Sequence, residues 1–260
     1  MIVRLIKKIF ISIYDDGLLR TMNLVICYPV NYYKFKSLKA HMLKFDNPKD
    51  RWTWAWKSNS WRQDESASGD GSSLKYTLNL RKKLPHLLES FQIKTIFDAP
   101  CGDLNWMSDV LSTQAVNYQG GDIVKPLVEE LNLKFGNENT SFIYFNLIEM
   151  VPPKSDLMIC RDCLIHFSYG EAHAVLRNFL LSGTKYLLTT THANPNGKFK
   201  NTDILNGEFR LIDLFSAPYH FPKNPLFVIE DWIPPFPERQ MCLWSREQIQ
   251  TALDETIEKM

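Results

Sequence analysis

Almost no net charge survives in this 260-residue chain: 30 Lys and Arg stand against 29 Asp and Glu, a formal +1. That balance excludes an overall field that would recruit nucleic acid or an anionic membrane, so any anionic partner must be held locally. The basic stretch Lys34, Lys36, Lys39, Lys44, Lys49 and Arg51 is only local, and nucleic acid is not expected as a partner. Cysteine is sparse and unpatterned. The five, Cys27, Cys101, Cys160, Cys163 and Cys242, are odd in number and dispersed, which argues against a disulfide framework and for a reducing, cytoplasmic compartment. Cys160 and Cys163 form one C-x-x-C with no second pair to complete a zinc site, so no metal is expected; a redox pair is the minor alternative. Long apolar runs are lacking too. The uncharged run at residues 22–33 falls short of the roughly 20 residues that cross a bilayer, and no small-residue cleavage site follows the Lys-containing start.

Ile2, Leu5, Ile6, Ile9, Phe10 and Ile13 recur at helical spacing, which predicts an amphipathic first helix packed on its own domain or on a second copy of the chain, with membrane-surface binding the lesser alternative. Trp52, Trp54, Trp56 and Trp61 cluster after it; stacking on a ligand is one role for them and core packing the commoner one. "ESASGDGSS", residues 65–73, is a loop by composition. Residues 74–91 suggest helix, with Pro85 marking a break or a new first turn. Beyond it, short apolar runs at 95–99, 117–121, 141–145, 156–160 and 186–191 alternate with helical stretches at 106–111, 125–135 and 169–181, the pattern of a parallel α/β sheet. Two further strands, 226–229 and 240–244, are too close for a crossover helix and should pair antiparallel. The expected architecture is therefore a Rossmann-like, mostly parallel seven-stranded sheet with an antiparallel C-terminal hairpin. Residues 1–90 form an N-terminal helical extension with a covering loop, and residues 91–260 the main domain.

The turn after the first strand, "TIFDAPCGDLNWM", is poor in glycine. Only Gly102 stands where a dinucleotide fingerprint needs three, and Asp103 adds negative charge, so pyrophosphate is disfavoured twice. A ligand bringing positive charge suits it better, and S-adenosylmethionine carries a sulfonium and an ammonium beside one carboxylate. Asp98 ends that strand. Asp122 lies 122 − 98 = 24 residues on, near the offset at which a carboxylate meets ribose hydroxyls, although a helix N-cap is its alternative role. Asn146, after the third strand, is placed to read an adenine edge.

Trp61, "ESASGDGSS", Arg81 with "LPHLL", "FDAPCGDLNWM", "GGDIV", "DLMICRDCLIHFSYGE", "YLLTTTH" and "NTDILNGEFRLIDLFSAPYHFP" together resemble the bacterial class I S-adenosylmethionine-dependent methyltransferases associated with capsule and surface-polysaccharide biosynthesis. The resemblance runs from about residue 56 to residue 244 and implies S-adenosylmethionine as cofactor, with Trp61, Ser68, Gly69 and Ser72 in the covering loop. Pro100, Cys101, Asp103 and Trp106 would surround Gly102. Ile123 and Leu147 would flank Asp122 and Asn146, and Cys160 would close the fourth strand.

Methyl transfer is an in-line displacement in which positioning supplies much of the rate, and an alcohol acceptor gains further from a base. Asp162, His166 and His192 are the candidate bases; a helix cap for Asp162 and a structural hydrogen bond for His166 are the alternatives. Arg161 beside a sulfonium calls for a negative partner: an anionic acceptor or, equally, a salt bridge to Asp103 or Asp162. Residues 194–225 are too long for a simple connection and suggest an acceptor wall, where Asp203 and Arg210 would orient a polar substrate. The expected reaction is O-methylation of an anionic or sugar-linked precursor of a surface glycan, such as a sugar nucleotide, a phosphorylated sugar or a phosphoramidate-type group. A noncatalytic S-adenosylmethionine-binding scaffold and a nicotinamide-dependent oxidoreductase are the rival readings.

Overall fold

The computed structural model describes residues 41–42, 44–60 and 64–258. The chain separates into two compact units, residues 1–46 and residues 47–260, and the sheet belongs to the second. The amphipathic stretch at residues 2–13, with its expected role in a homodimer, the run at 22–33 and Trp61 all lie outside the described residues.

The second unit begins with helix α1 (Pro48–Lys57), whose cap is legible in sequence: Asn47 accepts the Lys49 amide at 2.8 Å, and proline occupies the first turn. Helix α2 (Leu78–Ser90) runs through Pro85 without breaking. Burial of Leu80, Leu84, Leu87 and Leu88 along one face offsets the single hydrogen bond that Pro85 cannot donate. There follow β1 (Thr95–Asp98), α3 (Met107–Leu111), β2 (Asn117–Asp122), α4 (Lys125–Phe135), β3 (Thr140–Tyr144), β4 (Leu157–Cys160), α5 (Tyr169–Ser182), β5 (Tyr186–His192), β6 (Phe227–Glu230), β7 (Arg239–Ser245) and α6 (Arg246–Glu258).

The strand order is β3-β2-β1-β4-β5-β7-β6, with β1 to β5 parallel and β7 antiparallel to both neighbours. Both faces are covered, so the central strands read as continuous apolar runs. Ile96, Leu157 and Ile159 point into one core, and Phe97, Met158 and Cys160 into the other. Strand β2 carries Gly121 for a steric reason: a Cβ there would stand 2.8 Å from the Phe97 ring and 2.9 Å from Phe145, whose rings pack edge to face at 4.9 Å. The parallel register brings Asp98, Asp122 and the residues after Cys160 to one edge.

Candidate functional site

At that edge lies a cavity of about 190 Å³, lined by Asp98, Gly102, Asp122, Asn146, Arg161 and His166 among others. Ligands of open α/β sheets bind in this position, beyond the carboxyl ends of the strands where the order reverses. The order reverses here between β1 and β4. Gly102 turns the chain at φ +55°, and a Cβ on it would fall 2.4 Å from Ser68 Oγ.

Asp122 is held by backbone amides: Oδ2 accepts from Gly102 at 3.2 Å and Oδ1 from Val124 at 3.0 Å. It thus caps the turn into α4 while lining the cavity, and each oxygen keeps a second lone pair for a ligand hydroxyl. Burial, partly countered by those amides, pushes its carboxyl up to about 6. Asn146 accepts the Ile148 amide on Oδ1 at 3.1 Å, which fixes the side chain and leaves its Nδ2 donors for a ligand. Asp98 accepts from Tyr118 Oη at 2.9 Å, and burial pushes its carboxyl up to about 7 despite that bond and the charge of Arg161.

The sequence reading gave Asp103 to the ligand as added negative charge. Asp103 lines the cavity, and its carboxylate also holds the serine-rich loop, accepting from the Ala67 amide at 2.7 Å and from the hydroxyls of Ser66 and Ser68 at 3.1 and 3.3 Å. Asp103 is thus the anchor that folds residues 66–68 against the β1 turn, and Ser68 and Ser72 line the cavity as a result. Gly69 stands one residue before the 3₁₀ turn Asp70–Ser72, at φ +91°, and shapes that loop.

Arg161 does not bridge to Asp103. Its Nε and Nη2 grip Asp231 at 2.8 and 3.1 Å, and Nη2 also donates to the Gly71 carbonyl at 2.6 Å. Asp231 follows β6, 1% exposed, and also receives Arg239, whose Nη1 donates to Asp162 at 2.5 Å. Arg161 Nη1 stands 3.7 Å from the same Asp162 carboxylate. Two arginines and two aspartates therefore alternate in a charge-balanced set, buried except for Asp162 at the cavity wall, a geometry that satisfies charges otherwise costly to bury. Tyr76 lies over Arg239 and Trp106 over Arg161, at 4.6 and 5.5 Å. Asp162, at φ +52°, donates its amide to Thr190 Oγ1 at 2.8 Å, and the two guanidinium groups outweigh burial and hold its carboxyl below the ordinary range. A carboxylate held below its ordinary range is a weaker base than a free one.

The two candidate histidines differ in tautomer. His166 Nδ1 lies 2.8 Å from the Glu208 carbonyl, which can only accept, so Nδ1 carries the proton and Nε2 of the neutral ring keeps a lone pair. Burial lowers its pKa below 6.5, so the ring is neutral at pH 7. His192 is the reverse: the Ile212 amide donates to its Nδ1 at 3.2 Å, which puts the proton on Nε2 and leaves neither nitrogen free to accept. Burial pushes its pKa down to about 4, and it does not line the cavity.

The wall at residues 194–225 folds back on the segment after β4: the Gly207 and Arg210 amides donate to the carbonyls of His166 and Ile165 at 2.9 and 3.1 Å. Arg210 was expected to orient an acceptor. It is 4% exposed, donates to the Thr202 carbonyl and Tyr219 Oη at 2.9 and 2.5 Å, and lies 4.9 Å over the Tyr169 ring. It is an internal strut, because a buried guanidinium must spend its donors on the chain around it. Asp203 caps locally, accepting the Tyr169 amide at 2.7 Å. Cys160, 1% exposed, faces the core. The remaining expected contacts, Pro100, Cys101, Trp106, Ile123 and Leu147, line the cavity.

Sequence reasoning missed α1 and its consequence. Arg51 Nη1 donates to the Asn206 carbonyl and, at 3.2 Å, to its Oδ1, tying α1 to the wall. Trp52 and Trp56 then line the cavity, and Trp52 meets the His166 ring edge-on at 5.5 Å, with Phe209 6.0 Å from the same ring. Asp231, Arg239 and Tyr76 were also missed. Nothing in their local sequence marks them, since all three reach the site from distant segments.

No protein-family model matches the sequence, and no curated protein does. Solved structures do share the fold. Magnesium protoporphyrin IX methyltransferase (ChlM) from Synechocystis PCC 6803 with bound SAH aligns at TM-score 0.53 and 14% identity over 74% of this chain and 93% of that one. PigF with SAH aligns at 0.55 and 10% over 88% and 73%. The Burkholderia thailandensis 1,6-didemethyltoxoflavin-N1-methyltransferase, with its substrate and S-adenosylhomocysteine bound, aligns at 0.54 and 13% over 80% and 88%. The fold is that of the class I methyltransferases, a mostly parallel sheet with the β5, β7, β6 antiparallel edge. Among the described residues, no helix is long and apolar enough to cross a membrane.

Proposed function

We propose that this protein is an S-adenosylmethionine-dependent O-methyltransferase acting in the cytoplasm on a hydroxyl of a sugar-linked precursor of a surface glycan. The observation that carries the reading is His166, a neutral histidine with its Nδ1 proton committed to a carbonyl, on the wall of a nucleoside-sized cradle. The cradle suits the cofactor by its donor set. Asp122 presents lone pairs to ribose hydroxyls, Asn146 presents amide donors to adenine, and Asp98 presents a carboxylate to a cationic tail. When bound, S-adenosylmethionine supplies an electrophilic methyl on a sulfonium that is already a good leaving group. The protein's share is to hold an acceptor oxygen in line and to take its proton, which His166 Nε2 does. Residues 1–90 serve as extension and covering loop, and residues 91–260 as the transferase domain.

The acceptor wall is aromatic. Trp52 and Phe209 flank His166, and a sugar presents a C–H face that packs on such rings. An anionic group on the acceptor finds less support, because Arg210 is engaged inside the protein and Arg161 spends Nε and Nη2 on Asp231 and the Gly71 carbonyl. A phosphate, nucleotide or phosphoramidate carried by the sugar is compatible with this wall but not required by it.

Calorimetry with S-adenosylmethionine and with NAD separates the transferase and scaffold readings from the oxidoreductase. A radiolabelled methyl assay over paired phosphorylated and unphosphorylated sugars then separates enzyme from scaffold. His166→Ala should lower turnover by about 10² to 10⁴ while leaving cofactor affinity intact. Full turnover in that variant would remove His166 from the chemistry.

A further inference from the structure

The acceptor wall turns at residues 205–208, where the Glu208 amide donates back to the Leu205 carbonyl at 3.0 Å and Gly207 takes φ +87°. That turn supplies the carbonyl that receives the Nδ1 proton of His166, and it docks through the Gly207 amide on the His166 carbonyl. Asn206 belongs to the turn and lines the cavity, yet both ends of its side chain are committed to other elements. Oδ1 accepts from Arg51 of α1 at 3.2 Å, and Nδ2 donates to Glu171 Oε1 of α5 at 2.9 Å. Glu171 is part of a capping box written in the sequence as Ser-Tyr-Gly-Glu. Its Oε2 accepts the Ser168 amide at 2.8 Å, and Ser168 Oγ accepts the Glu171 amide at 3.2 Å. The box uses Oε2, and the wall takes Oε1.

We propose that Asn206 and Glu171 are positioning residues for the methyl transfer: anchored on the cap of α5, they hold the 205–208 turn so that the Glu208 carbonyl takes the Nδ1 proton of His166 and Nε2 is left as the basic atom. This rests on the His166 reading of the function and adds the residues that select the reactive tautomer. A neutral imidazole keeps its proton on the nitrogen that has the acceptor, so the choice belongs to the Glu208 carbonyl. Hydrogen bonds weaken steeply as distance and angle depart from their optimum, and the turn's own bond fixes its shape but not its place beside His166. The Gly207 amide holds the turn at one point, and Asn206 ties it to two helices, which removes the freedom to pivot. Arg51 and Glu171 also fix which way the amide faces, because a guanidinium only donates and a carboxylate only accepts. Arg51 precedes Trp52, whose ring meets His166, so one side chain sets both the base and the aromatic wall over it.

The test reads the ring itself in the whole, ligand-free protein, by proton–nitrogen NMR correlation of histidine-labelled samples at pH 8, where His166 is neutral; a His166→Gln sample assigns its signals among the six histidines. In wild type the form protonated on Nδ1 should predominate. Asn206→Ala keeps the bond from Arg51 to the carbonyl of residue 206, which preserves the fold, and should raise the share protonated on Nε2 severalfold, to about a third or more. Glu171→Ala should do the same. It also breaks the capping box, so Ser168→Ala serves as the control: that variant should lower the melting temperature and leave the tautomer as in wild type. A tautomer unchanged in Asn206→Ala and Glu171→Ala overturns the proposal, as does a shift in Ser168→Ala equal to that in Glu171→Ala, which would make the effect a general loosening of α5. A wild-type ring protonated on Nε2 would overturn the reading of His166 as the base, and the proposal with it.

Discussion

Replacing Asp98 by asparagine should make the ligand-free protein more stable at neutral pH while weakening its hold on the cofactor. Asp98 is 3% exposed, and burial raises its carboxyl from an ordinary value of 3.8 to about 7. The groups facing it are the Tyr118 hydroxyl, Arg161, Asp122 and the Cys101 thiol, and together they do not offset that burial. Between those two pH values the folded protein keeps a proton that the unfolded chain has lost, so stability falls as pH rises through the window. Each pH unit of that imbalance costs about 1.4 kcal/mol. From pH 5 to the folded value of about 7 the interval is 7 − 5 = 2 units, hence up to about 3 kcal/mol lost by wild type. Asparagine does not titrate, and its carbonyl still accepts from Tyr118. Urea unfolding at pH 5, 6, 7 and 8, followed by tryptophan fluorescence, gives the two stability curves. His166 and His192 titrate in both proteins and cancel in the difference, whereas Asp122 faces Asp98 and its coupling is part of the effect read out. The curves should diverge upward with pH in favour of Asp98→Asn. Parallel curves within about 0.5 kcal/mol, or a variant less stable at every pH, would show that Asp98 is ionised and paired with Arg161, and the reasoning would fail.

Other perturbations probe the remaining supports. Asp103→Ala removes the acceptor of two amides and two hydroxyls; it should cost about 1.5 to 3 kcal/mol and expose residues 65–73 to limited proteolysis, whereas an unchanged cleavage pattern would dissociate the loop from Asp103. Asp231→Ala leaves two buried arginines short of a partner and should destabilise by about 3 to 5 kcal/mol in chemical denaturation; a loss below about 1 kcal/mol would mean that the ion set is solvated. Turnover should stay flat from pH 8 down to about 6.5 and fall only below it, because burial lowers the pKa of His166, with Asp162 and Arg210 the charges facing it and the neutral ring the active form. A profile that falls on the alkaline side of 7 would point to a different base. Trp52→Ala should raise KM for a sugar acceptor about tenfold with little change in cofactor affinity, and an unchanged KM would take the aromatic wall out of acceptor binding.

What the sequence determined by itself is local and periodic. Apolar runs of strand length, spaced by helical stretches, foretold seven strands and the antiparallel edge, because a parallel pair needs a crossover that the segment between β6 and β7 cannot hold. Residues at strand ends were legible for the same reason. Asp98, Gly102, Asp122 and Asn146 meet because the chain reaches the same sheet edge each time. Side-chain direction was not legible. Whether Arg161 faces an acceptor or Asp231, whether Arg210 closes on a substrate or props up the wall, and which histidine nitrogen keeps its lone pair all depend on partners 9 to 70 residues away that only folding brings together. Asp103 reads as free negative charge until the loop at 66–68 folds onto it. Hydrophobic periodicity is a property of neighbours in sequence, so it survives in one dimension. The satisfaction of buried charges is a property of neighbours in space, and only the tertiary structure decides it.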